Sequence, residues 1–330
     1  MKKVLALVLA AAMLCAMALS TLAEDKKTIG IVMPNATHGF TGESVKHAEA
    51  EIKKLAEADP TLDYKFLTAG ESSEQANHID TLIAQGVDMI FLWPMNGDEL
   101  RSSAQTIVDA NIPLMIYDRL IEGFTPTAEA MGDNDKIGEG TGEYMNAYFK
   151  DQLAAGEKIQ ILQFLGDSST VPMQRSNGFK KTANENIEIV QEFVTDWQRS
   201  VALEQMESFL ETKSAEEIEA IDAIFTHDDE VAMGILDAIN NYSGSAKLNI
   251  KLITGVQACK EFLELMPDSK IDLMTYSFAP SMIRTAIDMA VEIMNGEEIS
   301  GMQLLPTTMV DKTNVAEYMA GEEYTVRYSL

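Results

Sequence analysis

Residues 87–119 read VDMIFLWPMNGDELRSSAQTIVDANIPLMIYDR. The apolar runs 87–94 and 113–118 carry no polar alternation, and the segment between them predicts a helix over 98–110. A strand with one wet face alternates apolar and polar residues, whereas a strand buried on both faces is apolar throughout. Strand, helix and strand here predict a parallel sheet covered on both sides. The same alternation runs along the chain. TIGIVMP (28–34) and YKFLTA (64–69) predict strands. The first is followed by a helix over 43–58 with Val45, Ala48, Ile52 and Leu55 on one face, the second by a helix capped at Ser72 or Ser73. Beyond residue 157 the pattern repeats, with strands at 158–166, 187–195, 221–229 and 250–256 and helices at about 173–184, 200–211 and 230–241. A strand at 271–277, a helix at 281–296 and a strand at 303–310 complete the series. Two α/β units lie in tandem, and the last helix with its flanking strands implies that the chain crosses back between them. No linker rich in Pro, Gly or Ser separates the units, which fits lobes joined by short crossovers.

The 330 residues are enough for two domains, and 46% of them are hydrophobic, so each unit can bury a core. Against 25 basic residues stand 52 acidic ones, a formal net charge of −27 with no run of Lys and Arg. That balance argues against nucleic acid as a partner and reads as a solvated, repulsive surface. Lys2 and Lys3, the apolar run from Val4 to Leu19, and the small residues Thr21 and Ala23 before Glu24 have the three-part form of a secretory signal peptide, expected to span 1–23. Cys15 sits inside the apolar run behind Leu14, so a lipid anchor is not expected. Cys259 is then the single cysteine of the mature chain, and no internal disulfide is expected. The location expected is periplasmic or outside the cell. No other apolar stretch is long enough to span a bilayer.

In an open parallel sheet the ligand crevice lies outside the carboxyl ends of the strands. The residues there are polar or aromatic: His38 and Phe40 after the first strand, Trp93 at the third, Asp118 and Arg119 at the fourth, Asp228 and Asp229 after IDAIF, and Gln257 after LITG. Trp93 reads equally as core or as pocket wall. Asp229, next to a helix, reads as a cap for the free N–H groups of that helix. Catalytic signatures are missing: there is no G-x-S-x-G, phosphate loop or H-E-x-x-H, and Gly138-Glu139-Gly140-Thr141-Gly142 does not follow a strand as a dinucleotide fingerprint requires. His47 and His78 fall in helix patterns and read as surface or partly packed imidazoles. DNDKIG (133–138) opens like a calcium loop, but Ile137 and Tyr144 hold positions that need oxygen ligands. His227-Asp228-Asp229 lacks a metal-ligating partner at helical spacing. No metal and no cofactor are expected.

WPMNGDEL (93–100), YDRLIEG (117–123), GDNDKIGE (132–139), QRSNGF (174–179), DWQRSVAL (196–203) and FTHDDEVAMGILDAI (225–239) follow one another at a spacing seen elsewhere. On these segments the chain, from Thr28 to about Val310, resembles the periplasmic sugar-binding proteins of ABC transporters, of the ribose, galactose and xylose type and nearest the xylose branch. The resemblance implies an α/β fold of the type I periplasmic binding proteins, two Rossmann-like lobes of parallel sheet joined by three crossover hinge segments. One lobe would be 24–132 plus 278–306, the other 133–277 plus 307–330. It also implies a monomer that holds a monosaccharide, a xylose-like pentose or an aldohexose, between its lobes and delivers it to an ABC permease in the membrane. A chemotaxis receptor is a further partner of some such proteins.

Carried over residue by residue, the resemblance makes Asp118 and Arg119 ligands for adjacent sugar hydroxyls. A carboxylate accepts from two hydroxyls while a guanidinium donates to their oxygens, so the two together suit a vicinal diol. Phe40 and Trp197 fall where the family stacks rings on the sugar from either lobe, Arg175 matches the family's helix arginine, and Asp133 its acidic residue beside a crossover. His38, Asp228, Gln257 and Ser277 depart from the family pattern. These four are expected to read individual hydroxyls, and the identity of the sugar stays open. Two other classes compete. A sugar-responsive regulator shares the architecture but needs an N-terminal helix-turn-helix where this chain has a signal-peptide pattern. A secreted α/β enzyme using His227 and Asp228 as a base and acid pair needs neighbouring strand residues to face one way, and they face opposite ways.

Overall fold

The structure, a computed structural model, describes residues 26–36 and 39–327. The signal-peptide reading, Cys15 and His38 lie outside those residues. In chain order the strands are β1 (Lys27–Pro34), β2 (Leu62–Ala69), β3 (Met89–Leu92), β4 (Leu114–Tyr117), β5 (Ala128–Gly132), β6 (Ile159–Leu165), β7 (Ile187–Val194), β8 (Ile221–Thr226), β9 (Leu252–Gln257), β10 (Asp272–Ser277), β11 (Gly301–Leu305) and β12 (Met309–Asp311). They form two six-stranded sheets, ordered β11-β5-β4-β3-β1-β2 and β12-β10-β9-β8-β6-β7. The pairings are parallel except that of β10 with β12.

The absence of polar alternation has the cause expected of it. Alternate residues of one strand enter different cores: Met89 and Phe91 pack with Met115 and Tyr117 on one face of the first sheet, Ile90 and Leu92 with Leu114 and Ile116 on the other. The second sheet divides likewise, with Ile224 and Ile253 on one face and Ala223, Phe225 and Leu252 on the other. The helix Gly97–Asp109 shows how the covering layer is specified. Asn96 caps it, its Oδ1 accepting from the N–H groups of Asp98 and Glu99 at 3.0 and 3.2 Å, and Leu100, Ala104 and Ile107 form its buried stripe.

The chain passes between the sheets three times. After β5 it enters the helix Asn134–Tyr148, which packs on Thr170–Thr182 beside the second sheet. After β10 it enters Met282–Met294, which packs on Gly39–Ala58 beside the first. After β11 it returns directly to β12, so the expected strand 303–310 is in fact two strands in different sheets, parted at Pro306. The second and third passages are tied together: Ser277 N donates to Thr308 O and Thr308 N to Ser277 Oγ, each at 2.7 Å.

Gly138 and Gly142, set aside above as a dinucleotide fingerprint, have a packing role. They lie within the helix Asn134–Tyr148, where a Cβ on Gly138 would stand 2.1 Å from the Arg175 carbonyl oxygen. On the facing helix a Cβ on Gly178 would stand 2.3 Å from Asp135 O. The glycines let two backbones touch beside the first passage.

Candidate functional site

The carboxyl edges of the two sheets face each other across a narrow cavity. The first sheet and its helix contribute Phe40, Trp93, Asp118 and Arg119, the second contributes Val171, Arg175, Trp197, Asp228, Val256 and Gln257, and the passage after β10 contributes Phe278. Of the strand-edge residues the cavity brings together Phe40, Trp93, Asp118, Arg119, Asp228 and Gln257, and of those implied by the resemblance it adds Arg175 and Trp197.

Asp133 and Ser277 do not line this cavity. The Asp133 carboxylate caps the helix Asn134–Tyr148 by accepting from Lys136 N at 3.0 Å, and Ser277 Oγ is occupied by Thr308. Val171, Val256 and Phe278 are wall residues that sequence reasoning missed. Two are aliphatic and unremarkable in sequence, and Phe278 lies in a passage whose path only the topology reveals.

Asp118 and Arg119 are not paired with each other. Asp118 turns inward, buried, with Oδ2 accepting from Trp93 Nε1 at 3.0 Å. Arg119 reaches across the cleft: Nη2 meets Asp167 Oδ2 at 2.9 Å, while Nη1 donates to Met95 O at 2.7 Å. Leu120 N adds a bond to Thr170 Oγ1 at 3.1 Å. Both residues line the cavity, and their protein partners differ. Asp118 offers acceptor capacity to the cavity, and Arg119 ties the edge of one sheet to the loop after β6. Asp167 is a participant that the strand-edge argument could have found, since it directly follows QFLG. Burial opposes ionisation of Asp167, but the Arg119 guanidinium and the Ser169 hydrogen bonds outweigh it and hold the carboxyl below its ordinary value.

Arg175 is the central cation. Its Nε donates to Asn134 Oδ1 at 2.8 Å and its Nη1 to His227 O at 2.5 Å, and its guanidinium lies over the rings of Phe278 at 5.0 Å and Trp197 at 5.9 Å. Burial pushes its pKa down to about 10, so it stays charged at neutral pH. Asp228 is the N-cap of the helix Asp229–Asn241, accepting from Glu230 N at 2.8 Å, so the capping role expected of Asp229 falls one residue earlier. Asp229 instead accepts from Cys259 N and Thr275 Oγ1 at 2.8 and 2.7 Å behind the cavity wall. Gln257 presents a buried amide whose Nε2 has no protein partner. His227 points away, its Nε2 bonded to Gln163 Nε2 at 3.0 Å, so it does not act with Asp228.

Aromatic rings make the remaining walls. Phe40 meets Trp93 edge to face at 5.8 Å and Phe278 at 5.6 Å. Trp93 resolves its two readings by filling both roles: it is 1% exposed in the core, and its N–H holds Asp118 at the cavity. Two rings lie on glycine. A Cβ on Gly166 would stand 2.1 Å from the Trp197 indole, and one on Gly132 would stand 2.2 Å from Phe278. Non-glycine residues with positive φ among those described are Asn111, Asp118, Asp196, Trp197, Gln257 and Ala258. All but Asn111 are cavity residues or their chain neighbours, the usual place for backbone strain to be kept.

The site's carboxyls make stability depend on pH. Burial, then repulsion from Asp229, pushes Asp228 up to about 8, and burial raises Asp229 to about 6. A carboxyl whose folded pKa exceeds its unfolded value binds more protons when folded, so its contribution is lost as pH rises between the two values. The histidines act oppositely: burial and Arg284 lower His47 to about 4, and burial and Arg175 lower His227 well below its ordinary value. Their contribution grows with pH up to about 6.5 and is then complete. From about pH 6.5 to 8 the Asp228 effect is the leading one, so the melting temperature should fall over that range. Calorimetric scans of Asp228→Asn, which keeps a good N-cap, should show the decline removed; an undiminished decline would exclude Asp228 as its source. His47 itself is 1% exposed, contrary to the partly packed imidazole expected of it. No group of three or more His, Cys, Asp or Glu able to hold a metal occurs among the described residues.

Two lobes of parallel sheet with a small polar and aromatic cavity between their carboxyl edges define a binding protein that encloses its ligand. The chain belongs to the family described as the periplasmic binding protein domain, whose profile matches residues 29–298. The ribose import binding protein of Bacillus subtilis is 26% identical over 273 residues, covering 82% of this chain and 83% of that protein. The D-xylose-binding periplasmic protein of Haemophilus influenzae is 23% identical over 283 residues, 79% of this chain and 80% of that one. A solute-binding protein from Bacillus halodurans, solved with bound myo-inositol, superposes with a TM-score of 0.77 at 23% identity, over 91% of this chain and 99% of that chain. These relatives are solute-binding proteins and not enzymes, and their identities do not single out the xylose branch.

Proposed function

We propose that the chain is a solute receptor that binds one monosaccharide or similar cyclic polyol in the cleft and delivers it to an ABC permease from the periplasm or the cell exterior. The observation that carries this reading is the composition of one cavity: the carboxyl groups of Asp118 and Asp228, the Arg175 guanidinium and the Gln257 amide, set between the rings of Phe40, Trp93, Trp197 and Phe278. Carboxyl oxygens accept from hydroxyls, the guanidinium and amide donate to their oxygens, and rings cover the C–H faces of a pyranose, furanose or cyclitol. The relatives named for ribose and xylose, and the one holding myo-inositol, fall within that chemistry. The lobes divide in this reading at 132/133, 277/278 and 306/307.

Micromolar binding needs about 8 kcal/mol, and several charge-assisted hydrogen bonds of roughly 1.5 to 3 kcal/mol each supply it. Calorimetric titration with D-ribose, D-xylose, D-galactose, L-arabinose and myo-inositol, together with mass spectrometry of small molecules released from freshly purified protein, tests the reading. We expect micromolar or tighter binding of at least one. No heat with any of them and no polyol released on denaturation would overturn it.

A further inference from the structure

Arg327 does not line the cavity, yet it is 2% exposed. It ends the helix Glu322–Arg327, which follows β12 and packs with Val315–Ala320 beside the second sheet. Its Nη1 donates to the backbone oxygen of Gln257, the wall residue held at φ 138°. Its Nη2 meets Glu43 Oε2 at 3.0 Å, on the helix Gly39–Ala58 that packs beside the first sheet. Its own carbonyl oxygen lies 2.8 Å from His47 Nε2 on that same helix. Arg284 Nε donates to His47 Nδ1 at 2.9 Å, which leaves the ring hydrogen on Nε2, pointing at the Arg327 carbonyl.

One residue is therefore bonded to both lobes, and its bond to the second is to the backbone of a cavity wall. The Gln257 side-chain nitrogen has no protein partner, so no hydrogen bond from that nitrogen fixes the amide and its backbone position matters the more. We infer that Arg327 is a positioning residue for ligand binding: it fixes the Gln257 backbone while pairing with Glu43, so that closure of the lobes and completion of the cavity wall occur together. A guanidinium suits this task because its planar fork serves a carbonyl and a carboxylate at once, which an ammonium point charge does not. The inference rests on the receptor reading of the cleft and adds a coupling residue outside it.

The test combines two measurements on Arg327→Met, Glu43→Gln and the double variant. The first needs no ligand: hydrogen exchange of peptides covering 252–262 in the free protein. The second is calorimetry and stopped-flow binding with D-ribose, D-xylose and myo-inositol. We expect faster exchange at 252–262 in both single variants and an affinity about tenfold weaker, lost mainly through faster dissociation. The double variant should bind no more weakly than Arg327→Met, because the two residues act as one unit. Glu43, with a side chain 39% exposed, can lose its charge without a core defect, so Glu43→Gln decides the matter even if Arg327→Met fails to fold. Unchanged exchange and affinity in Glu43→Gln would overturn the coupling. If none of the three ligands binds the wild type, the sugar reading is weakened, while the exchange result still decides the coupling: faster exchange in Glu43→Gln supports it and wild-type protection overturns it.

Discussion

Asp118→Asn is expected to lower ligand affinity by roughly a hundredfold to ten-thousandfold, the equivalent of one or two charge-assisted hydrogen bonds to ligand hydroxyls. The wild-type carboxylate gives Oδ2 to Trp93 Nε1 and keeps acceptor capacity for the cavity. Asparagine can keep its oxygen toward the indole only by turning its amide group into the cavity, where a donor replaces an acceptor. The change is otherwise gentle: Asp118 sits at φ 65°, a conformation asparagine adopts as readily as aspartate. The melting temperature should therefore hold while binding is lost. Calorimetry on a ligand that binds the wild type checks this, and wild-type affinity in the variant would show that the carboxylate does not touch ligand. Asp118→Ala should lose binding too, but it adds backbone strain and so separates the two effects less cleanly.

Arg175→Lys should cost both affinity and stability, with binding weakened about a hundredfold and melting lowered by several degrees. The guanidinium fixes Asn134 with Nε and the His227 carbonyl with Nη1, while lying over Phe278 and within reach of Trp197. A lysine ammonium cannot hold those two acceptors in the same plane and still face the cavity. Because Asn134 begins the helix after the first passage between sheets, the loss reaches the hinge as well as the ligand. Thermal melts and titrations read the two effects separately. A variant that melts normally and loses only affinity would confine Arg175 to the ligand, and one that binds normally would remove it from the site.

How far the sequence revealed this site follows from which physical signals are local. Strands buried on both faces announce themselves as apolar runs, and β3 and β4 were legible for that reason, with β1, β6 and β8 nearly so. β5 was not, because AEAMG holds no β-branched or aromatic residue and is a strand only through its neighbours β4 and β11. Phe40, Trp93, Asp118, Arg119, Asp228 and Gln257 could be placed together because one rule, the carboxyl edge of a parallel sheet, places them there, whereas Arg175, on a helix, and Trp197 came from the resemblance. Direction was out of reach. Nothing local tells that Arg119 would turn to Asp167 rather than share a diol with Asp118, or that Ser277 would be consumed by Thr308. Those outcomes depend on contacts between segments far apart in the chain, as does the burial of His47 between Arg284 and Arg327.

The chain has two tryptophans, and both stand at the same cavity: Trp93 with its N–H on Asp118, and Trp197 lying on the bare backbone of Gly166. Each indole is held on one side by protein that has little room to shift. What varies is the medium on the open side, which changes when the lobes part or when a molecule slides between them. The tryptophan emission, excited at wavelengths that spare the nine tyrosines, is thus a report from one place in the fold. Opening and filling of the cleft can be followed in real time on the unmodified chain, with neither a dye nor a label attached.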